Sequence, residues 1–342
     1  MQTSRSVSVL TAGAAAFGIA MAAPASADAV SDFYEGKTVT VMVPSSLGAT
    51  LGLYARLVVD HIGRHVPGKP NVIIASKPGA GGTVGAAYAY NVAPKDGTYI
   101  SEVLAPSVIV PLLREMKFDG SKFQWLGSVA QRPAVVSLWK DLTPGKSLAD
   151  ARKMQIILGS TGKGSETYII PAMMNALLGT KFKIVLGYKG GAEVNQAMEQ
   201  GEIHGRQQYW SGWTAGKPTW LRDKKLIHLV QYGPRIKELA DVPTLRSLVS
   251  DPRQKKMIAF METANLIGIG FWVPPGVPGD RLSALRRAFS SMVRDQAFLA
   301  SAKKLKAPID PISGTELQKI VADAYDTPTD LIAEVKKITG AK

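Results

Sequence analysis

Two short glycine-bearing stretches carry the residue types that hold an anion. Gly79-Ala80-Gly81-Gly82-Thr83 turns tightly ahead of a helical pattern. Such a turn aims backbone N–H groups at one spot with the positive end of a helix dipole behind them. The plainer reading is a tight turn and nothing more, and the residue types leave both open. A dinucleotide fingerprint is excluded, although Glu102 lies about where one would put its acidic residue: G-x-G-x-x-G begun at Gly79 needs its last glycine where Val84 stands. Ser160-Thr161-Gly162-Lys163-Gly164-Ser165 offers hydroxyls and N–H groups between a strand and a helix, which suits a carboxylate as well as a phosphate. A phosphate loop would need glycine at Ile157 and a hydroxyl residue at Gly164, so that motif fails too. Ser165 also reads as an ordinary helix N-cap, a role compatible with ligand contact.

The remaining chemistry-bearing residues argue against catalysis. His61 and His65 have the i, i+4 spacing of a zinc helix, but Ile62 replaces the glutamate that should follow and no third ligand is evident. They read as exposed residues on a basic helix face. The 342-residue chain has no cysteine, which removes disulfides, thiolate metal sites and cysteine nucleophiles. No G-x-S-x-G elbow and no acidic pair at a telling spacing occurs. Neither an enzyme nor a cofactor or metal is expected. Tyr209, Trp210, Trp213 and Trp220 cluster among Gly and Ser after a strand-like run, where one or two of them are candidates to line a cleft.

The elements that must position these residues alternate. Thr38–Val43 is β-branched and apolar, a buried strand followed by the loop Pro44 to Thr50. Leu53, Tyr54, Leu57, Val58, Ile62 and Val66 recur at helical spacing until Pro67-Gly68 stops them. Asn71–Ala75 and Thr98–Leu104 read as strands flanking a small-residue helix from Val84 to Val92. A second set follows: strand Gln155–Gly159, helix Thr167–Leu178, strand Phe182–Leu186, helix Ala192–Glu199, and strands Ile203–Gln208, Leu226–Gln231 and Ile267–Val273. Beyond that, Leu282, Leu285, Phe289 and Val293, then Leu317, Ile320, Val321 and Tyr325, give a helical tail. The pattern predicts an α/β fold of two lobes, each a mixed, mostly parallel sheet flanked by helices. Length alone suits about two domains.

Arg5, the apolar run Val7–Ala23 and Pro24-Ala25-Ser26-Ala27 form a secretory leader, residues 1–27, cut after about Ala27. The run is too short and too Ala-rich for a membrane anchor. The net charge of +14, from 41 basic against 27 acidic residues, suits anionic partners. Export and the dispersal of Lys and Arg along the chain exclude nucleic acid.

In order after the leader come Val41-Met42-Val43-Pro44, Lys77-Pro78-Gly79-Ala80-Gly81-Gly82-Thr83, Ala93-Pro94-Lys95-Asp96-Gly97-Thr98, Gly159 to Ser165, Gly187-Tyr188-Lys189-Gly190-Gly191 and Asp241-Val242-Pro243-Thr244. Together they resemble the substrate-binding proteins of tripartite tricarboxylate transporters, the Bug family, from about Phe33 nearly to the last residue. The resemblance implies a two-lobed Venus flytrap in the periplasm, a monomer that captures a small carboxylate (a dicarboxylate or an aromatic carboxylate) and delivers it to membrane permease subunits. It implies lobe one at 33–133 plus 269–342 and lobe two at 134–268. Ligand contacts carried over are Ser45, Ser46, Leu47, Gly48, Ala80, Gly81, Gly82, Thr83 and Ser107 from lobe one. Lobe two contributes Ser160, Thr161, Ser165, His204, Tyr209 and Trp210. Two departures matter. The first loop lacks the family's Asp, which disfavours an amino-acid ligand, and His204 replaces the usual Asp of its strand, where it would favour anion binding at mildly acidic pH. The alternatives are a ligand-sensing partner of a membrane sensor, or an exported hydrolase for which the sequence supplies no catalytic pair.

Overall fold

The structure, a computed structural model, describes residues 25–48, 50–163 and 165–340. Residues 1–24 of the expected leader lie outside the described residues, and the expected cut after Ala27 falls in the first described helix, α1 (Ala25–Tyr34). The chain then runs β1 (Thr38–Val43), α2 (Thr50–Ile62), β2 (Asn71–Ser76), α3 (Thr83–Asn91), β3 (Tyr99–Glu102), α4 (Val110–Leu113) and β4 (Gln124–Ser128). A second series follows: β5 (Ala134–Trp139), α5 (Leu148–Lys153), β6 (Ile156–Gly159), α6 (Glu166–Leu178), β7 (Phe182–Val185), α7 (Gly191–Glu199), β8 (Gly205–Tyr209), α8 (Trp210–Thr214), α9 (Pro218–Arg222) and β9 (Leu226–Tyr232). The rest is α10 (Pro252–Ile267), β10 (Gly270–Val273), α11 (Gly279–Met292), α12 (Gln296–Lys304), β11 (Ile312–Ser313), α13 (Gly314–Tyr325) and α14 (Thr329–Thr339).

Two sheets form, ordered β11-β4-β10-β3-β1-β2 and β7-β6-β8-β5-β9. In the first, β1 lies parallel between β2 and β3, and β10 runs antiparallel to β3 and β4. In the second, β6 lies parallel between β7 and β8, and β5 runs antiparallel to β8 and β9. Both lobes therefore follow one path: first strand in the middle, second on one side, third on the other. Right-handed crossovers then send the two intervening helices to opposite faces. Leu51, Leu57 and Val58 of α2 join Val39, Val41 and Val43 on one face of β1, whereas Ala86 and Ala89 of α3 join Met42 on the other. In the second lobe, Ile170, Met173 and Met174 of α6 pack with Ile156 and Leu158, and Val194, Ala197 and Met198 of α7 cover the opposite face. These strands are buried on both sides, which is why they read as apolar runs. The sheets are mixed, as expected: β5 and β10, which the chain adds each time it crosses between lobes, run antiparallel to their neighbours, and so does the short edge strand β11.

The crossings are close. The Ile269 N–H donates to the Ala130 carbonyl at 2.9 Å, and Gly268 adopts φ +56° where a side chain would press into that carbonyl. Helix α10 leads into one crossing and packs on α13 and on the turn Ala105–Val108. Helix α14 lies mainly on α6, with Leu331, Ile332 and Val335 closing an apolar cluster around Ile109, Met257 and Phe260.

His61 and His65 are not the exposed pair that helical spacing suggested. His61 is 8% exposed, with Nε2 3.1 Å from Ser301 Oγ, and His65 Nε2 is 2.9 Å from Asp295, which Arg64 also pairs. They fasten α2 and the turn that follows it to α12 and its N-cap. The reason is packing: α11 and α12 cover the side of α2 that the sequence pattern left facing solvent.

Candidate functional site

In open α/β sheets the crevice that takes a ligand lies beyond the carboxyl ends of the parallel strands, where neighbouring strands send their connections to opposite faces. Each lobe has one such point, between β1 and β3 and between β6 and β8.

In lobe one, the loop after β1 carries Ser45, Ser46, Leu47 and Gly48. Ser76, at the end of β2, donates its hydroxyl to the Ser45 carbonyl at 2.8 Å, tying the first two strand-end loops together. Leu47 folds back over α2 so closely that only glycine fits at Gly52. The turn Gly79 to Thr83 has glycine where it must: Gly82 sits at φ +86° with Leu104 against it. Its donors are partly spent, since Gly82 N–H goes to the Gly79 carbonyl at 2.9 Å, and the Thr83 hydroxyl goes to the Ala80 carbonyl at 2.9 Å. Ala80 takes φ +43°, left-handed backbone in a residue with a side chain, a strain of the kind that collects at ligand sites. Ser107 is buried, and its hydroxyl has no hydrogen-bond partner among the described residues.

In lobe two, the hydroxyls of the loop converge on one residue that sequence reasoning passed over. Thr167 Oγ1 is 2.9 Å from Ser160 Oγ, 3.3 Å from Thr161 Oγ1 and 2.9 Å from Ser165 Oγ, and it also accepts the Thr161 N–H. Ser165 caps α6 through the Thr167 N–H at 3.3 Å. The loop is thus internally cross-linked, with its hydroxyls held rather than free. The Tyr188–Gly191 turn is held from beneath: buried Arg206 donates to the Gly191 carbonyl at 2.7 Å and to Asn195 Oδ1 at 3.0 Å. Burial pulls its pKa down to about 10.

The remaining candidates separate. His204 stands before β8, at the other end of that strand from Tyr209. Its Nδ1 accepts the Ile157 N–H at 3.0 Å, and burial lowers its pKa, so the ring is held as a neutral acceptor at the end of β8 away from Tyr209. Trp213 and Trp220 are core residues, packed against each other, with Trp139 meeting Trp220 edge to face. Trp210 packs edge to face with His228, their ring centres 5.6 Å apart. Tyr209 meets the crossing with its ring, the Arg132 guanidinium carbon lying 3.8 Å from the ring centre, whereas Trp210 meets it with its backbone N–H, 2.8 Å from the Pro133 carbonyl.

Around that stack is a polar group of residues with no local sequence motif. Asn265 on α10 grips Arg132 by its backbone, accepting its N–H at 2.9 Å and donating to its carbonyl at 3.0 Å. The amides of Asn265 and Gln207 approach Glu166 Oε2 at 3.4 and 3.5 Å. Burial raises the Glu166 pKa, while Arg132, Asn265 and Tyr209 oppose that rise. Arg132 also lowers the Tyr54 phenol on α2 against the burial that raises it to about 12, so its charge is felt in both lobes. The signal that was available is Pro133, at the expected lobe boundary and next to Arg132 in the chain.

His228 gives a pH prediction. Its Nδ1 is 2.9 Å from the Ser137 hydroxyl, and burial lowers its pKa from 6.5 to about 4. A depressed histidine pKa stabilises the fold above 6.5, and that contribution is lost as pH falls toward 4. The limit is about 3 kcal/mol. Urea unfolding of the native chain and of His228→Phe at pH 7 and pH 4.5 should show the native chain losing more. Equal losses would sink the assignment.

The family model for the tripartite tricarboxylate transporter family receptor matches residues 55–336. That family consists of receptors, binding proteins rather than enzymes. A protein of Cupriavidus necator described as a UPF0065 protein in the gbd 5' region is 26% identical over 250 residues, which is 70% of this chain and 72% of that protein. A TctC solute-binding protein from Polaromonas, solved without ligand, is similar in structure with a TM-score of 0.68 at 21% identity, covering 88% of this chain and 99% of that one. An R. palustris protein solved with adipate gives a TM-score of 0.58 at 20% identity, covering 89% and 97%.

Proposed function

The chain belongs to the tripartite tricarboxylate transporter receptor family, and we propose that it is a periplasmic receptor that closes its lobes on a small organic carboxylate and delivers it to the membrane permease. The lobes are taken as 33–133 with 269–342 and as 134–268, moving about the crossings near Arg132 and Gly268. The observation that carries this reading is the repeated strand path, which sets two groups of strand-end loops beside a crossing that holds a stacked arginine. The adipate bound by the R. palustris protein supports a carboxylate as the ligand class. The loops Ser45–Gly48 and Ala80–Thr83, with Ser107, Ser160, Thr161, Ser165 and Tyr209, are taken as the ligand-facing set. His204 is left out of it because it stands at the opposite end of β8 from Tyr209, with its Nδ1 bonded to Ile157, and Trp210 because its indole packs on His228.

A thermal-shift screen of the chain from Asp28 onward against aliphatic and aromatic mono-, di- and tricarboxylates tests the proposal. A ligand at a hundredfold excess over its Kd adds about 2.7 kcal/mol to the folded state. A saturable shift with one class identifies it. A folded protein that responds to none of them removes the carboxylate reading.

A further inference from the structure

The strand-end loops recognise an anion only through hydrogen bonds, and many of those donors are already engaged within the loops. The crossing adds a charge. Arg132 is gripped at both backbone polar groups by Asn265, so the root of its side chain is fixed. Its guanidinium lies over Tyr209 at 3.8 Å. Stacking covers one face of the planar cation and leaves its N–H edge available for a two-pronged bond to a carboxylate. Among the described residues, its side chain makes no ion pair and no hydrogen bond, and its charge is felt by Tyr54 on one side and by Glu166 and Tyr209 on the other.

We propose that Arg132 is a ligand-binding and specificity-determining residue: its guanidinium edge grips one carboxylate of a two-ended acid whose other end is held by the strand-end loops. The inference rests on the receptor reading above and deepens it. Glu166 faces the same space and acts in the opposite sense, because a carboxylate beside Arg132 repels a second one. Tyr209 acts as a platform that keeps the guanidinium flat, and Asn265 fixes its origin. A lysine would supply the charge without the fork or the stack.

The test uses succinate, glutarate and adipate, each against the monoacid of the same length (butyrate, valerate and hexanoate), titrated calorimetrically into the native chain, Arg132→Gln, Arg132→Lys and Glu166→Gln. Circular dichroism checks that each variant is folded. The native chain should prefer at least one diacid over its monoacid by about tenfold or more, the range of a charge-assisted bidentate pair. Arg132→Gln should collapse that ratio toward one. Arg132→Lys should keep only part of the ratio, and Glu166→Gln should tighten the diacid. An unchanged ratio in folded Arg132→Gln, or a native chain that binds diacid and monoacid alike, overturns the role of Arg132 while leaving the receptor reading standing. A native chain that binds neither series overturns the carboxylate reading itself, and this inference with it.

Discussion

Gly268→Ala should cost about 3 kcal/mol or more of folding stability and lower the melting temperature by roughly 5 °C. Two penalties add at this position. The backbone sits at φ +56° and ψ −114°, a region that residues with a Cβ avoid. The new methyl would also press into the Ala130 carbonyl and come within 2.8 Å of Gln131 Cα. Those are backbone atoms, which cannot rotate away, and the same carbonyl accepts the Ile269 N–H. Relief would require the two crossings to part, carrying Arg132 away from Tyr209. Gly187→Ala separates strain from packing, because Gly187 has φ +110° and no atom lies within 4 Å of the place its methyl would take. Its cost should be about 1 kcal/mol. Urea midpoints for the two variants decide the matter: equal penalties would mean that the close approach at the crossing carries no energy.

Glu102→Leu should do the reverse and stabilise the protein at neutral pH by ~1–3 kcal/mol. Glu102 ends β3, is 1% exposed, and neither carboxyl oxygen has a hydrogen-bond partner among the described residues. Its register partner is Phe271, a core residue on the α2 face of the sheet. Burial alone pushes its pKa well above 4.5. The folded chain then holds this proton more tightly than the unfolded chain does, so the favourable linkage is complete below about 4.5 and is lost as pH rises through the folded value. The gap between Glu102→Leu and the native chain should therefore widen from pH 5 to pH 8. A gap that is constant with pH would falsify the account. This slope is opposite in sign to that of His228, and comparing each variant with the native chain keeps the two apart.

Much of the frame is readable in the residues. The β-branched run at Thr38–Val43, the helical spacing from Leu53 to Ile62 and the glycine turn at Gly79 mark β1, α2 and the loop between β2 and α3, since each depends on local conformational preference. The loop at Ser160–Ser165 is legible for the same reason. Which of its groups stay free is not, because Ser160, Thr161 and Ser165 all find Thr167 only when the loop closes. Trp213 and Trp220 sit among Gly and Ser in sequence yet are core, stabilised by Trp139 from a distant strand. Helix α10 is hidden in the sequence because it is buried on more than one side: Met257, Ile258, Phe260, Ala264 and Ile267 are all enclosed, leaving no polar stripe to set the period. Arg132 and Asn265 are linked only by the chain crossing twice, and no spacing within the sequence announces a contact of that range.

Helix α14 carries a consequence for how the chain is made. Ile109, Met257 and Phe260 are covered in part by Leu331, Ile332 and Val335, which are synthesised well after them. Domains commonly fold in turn as they emerge, but here neither half can seal its surface until the late helix arrives. Contacts of such long sequence separation also slow the final condensation. The surface around Ile109, Met257 and Phe260 therefore stays open in any nascent chain that has not yet reached α14.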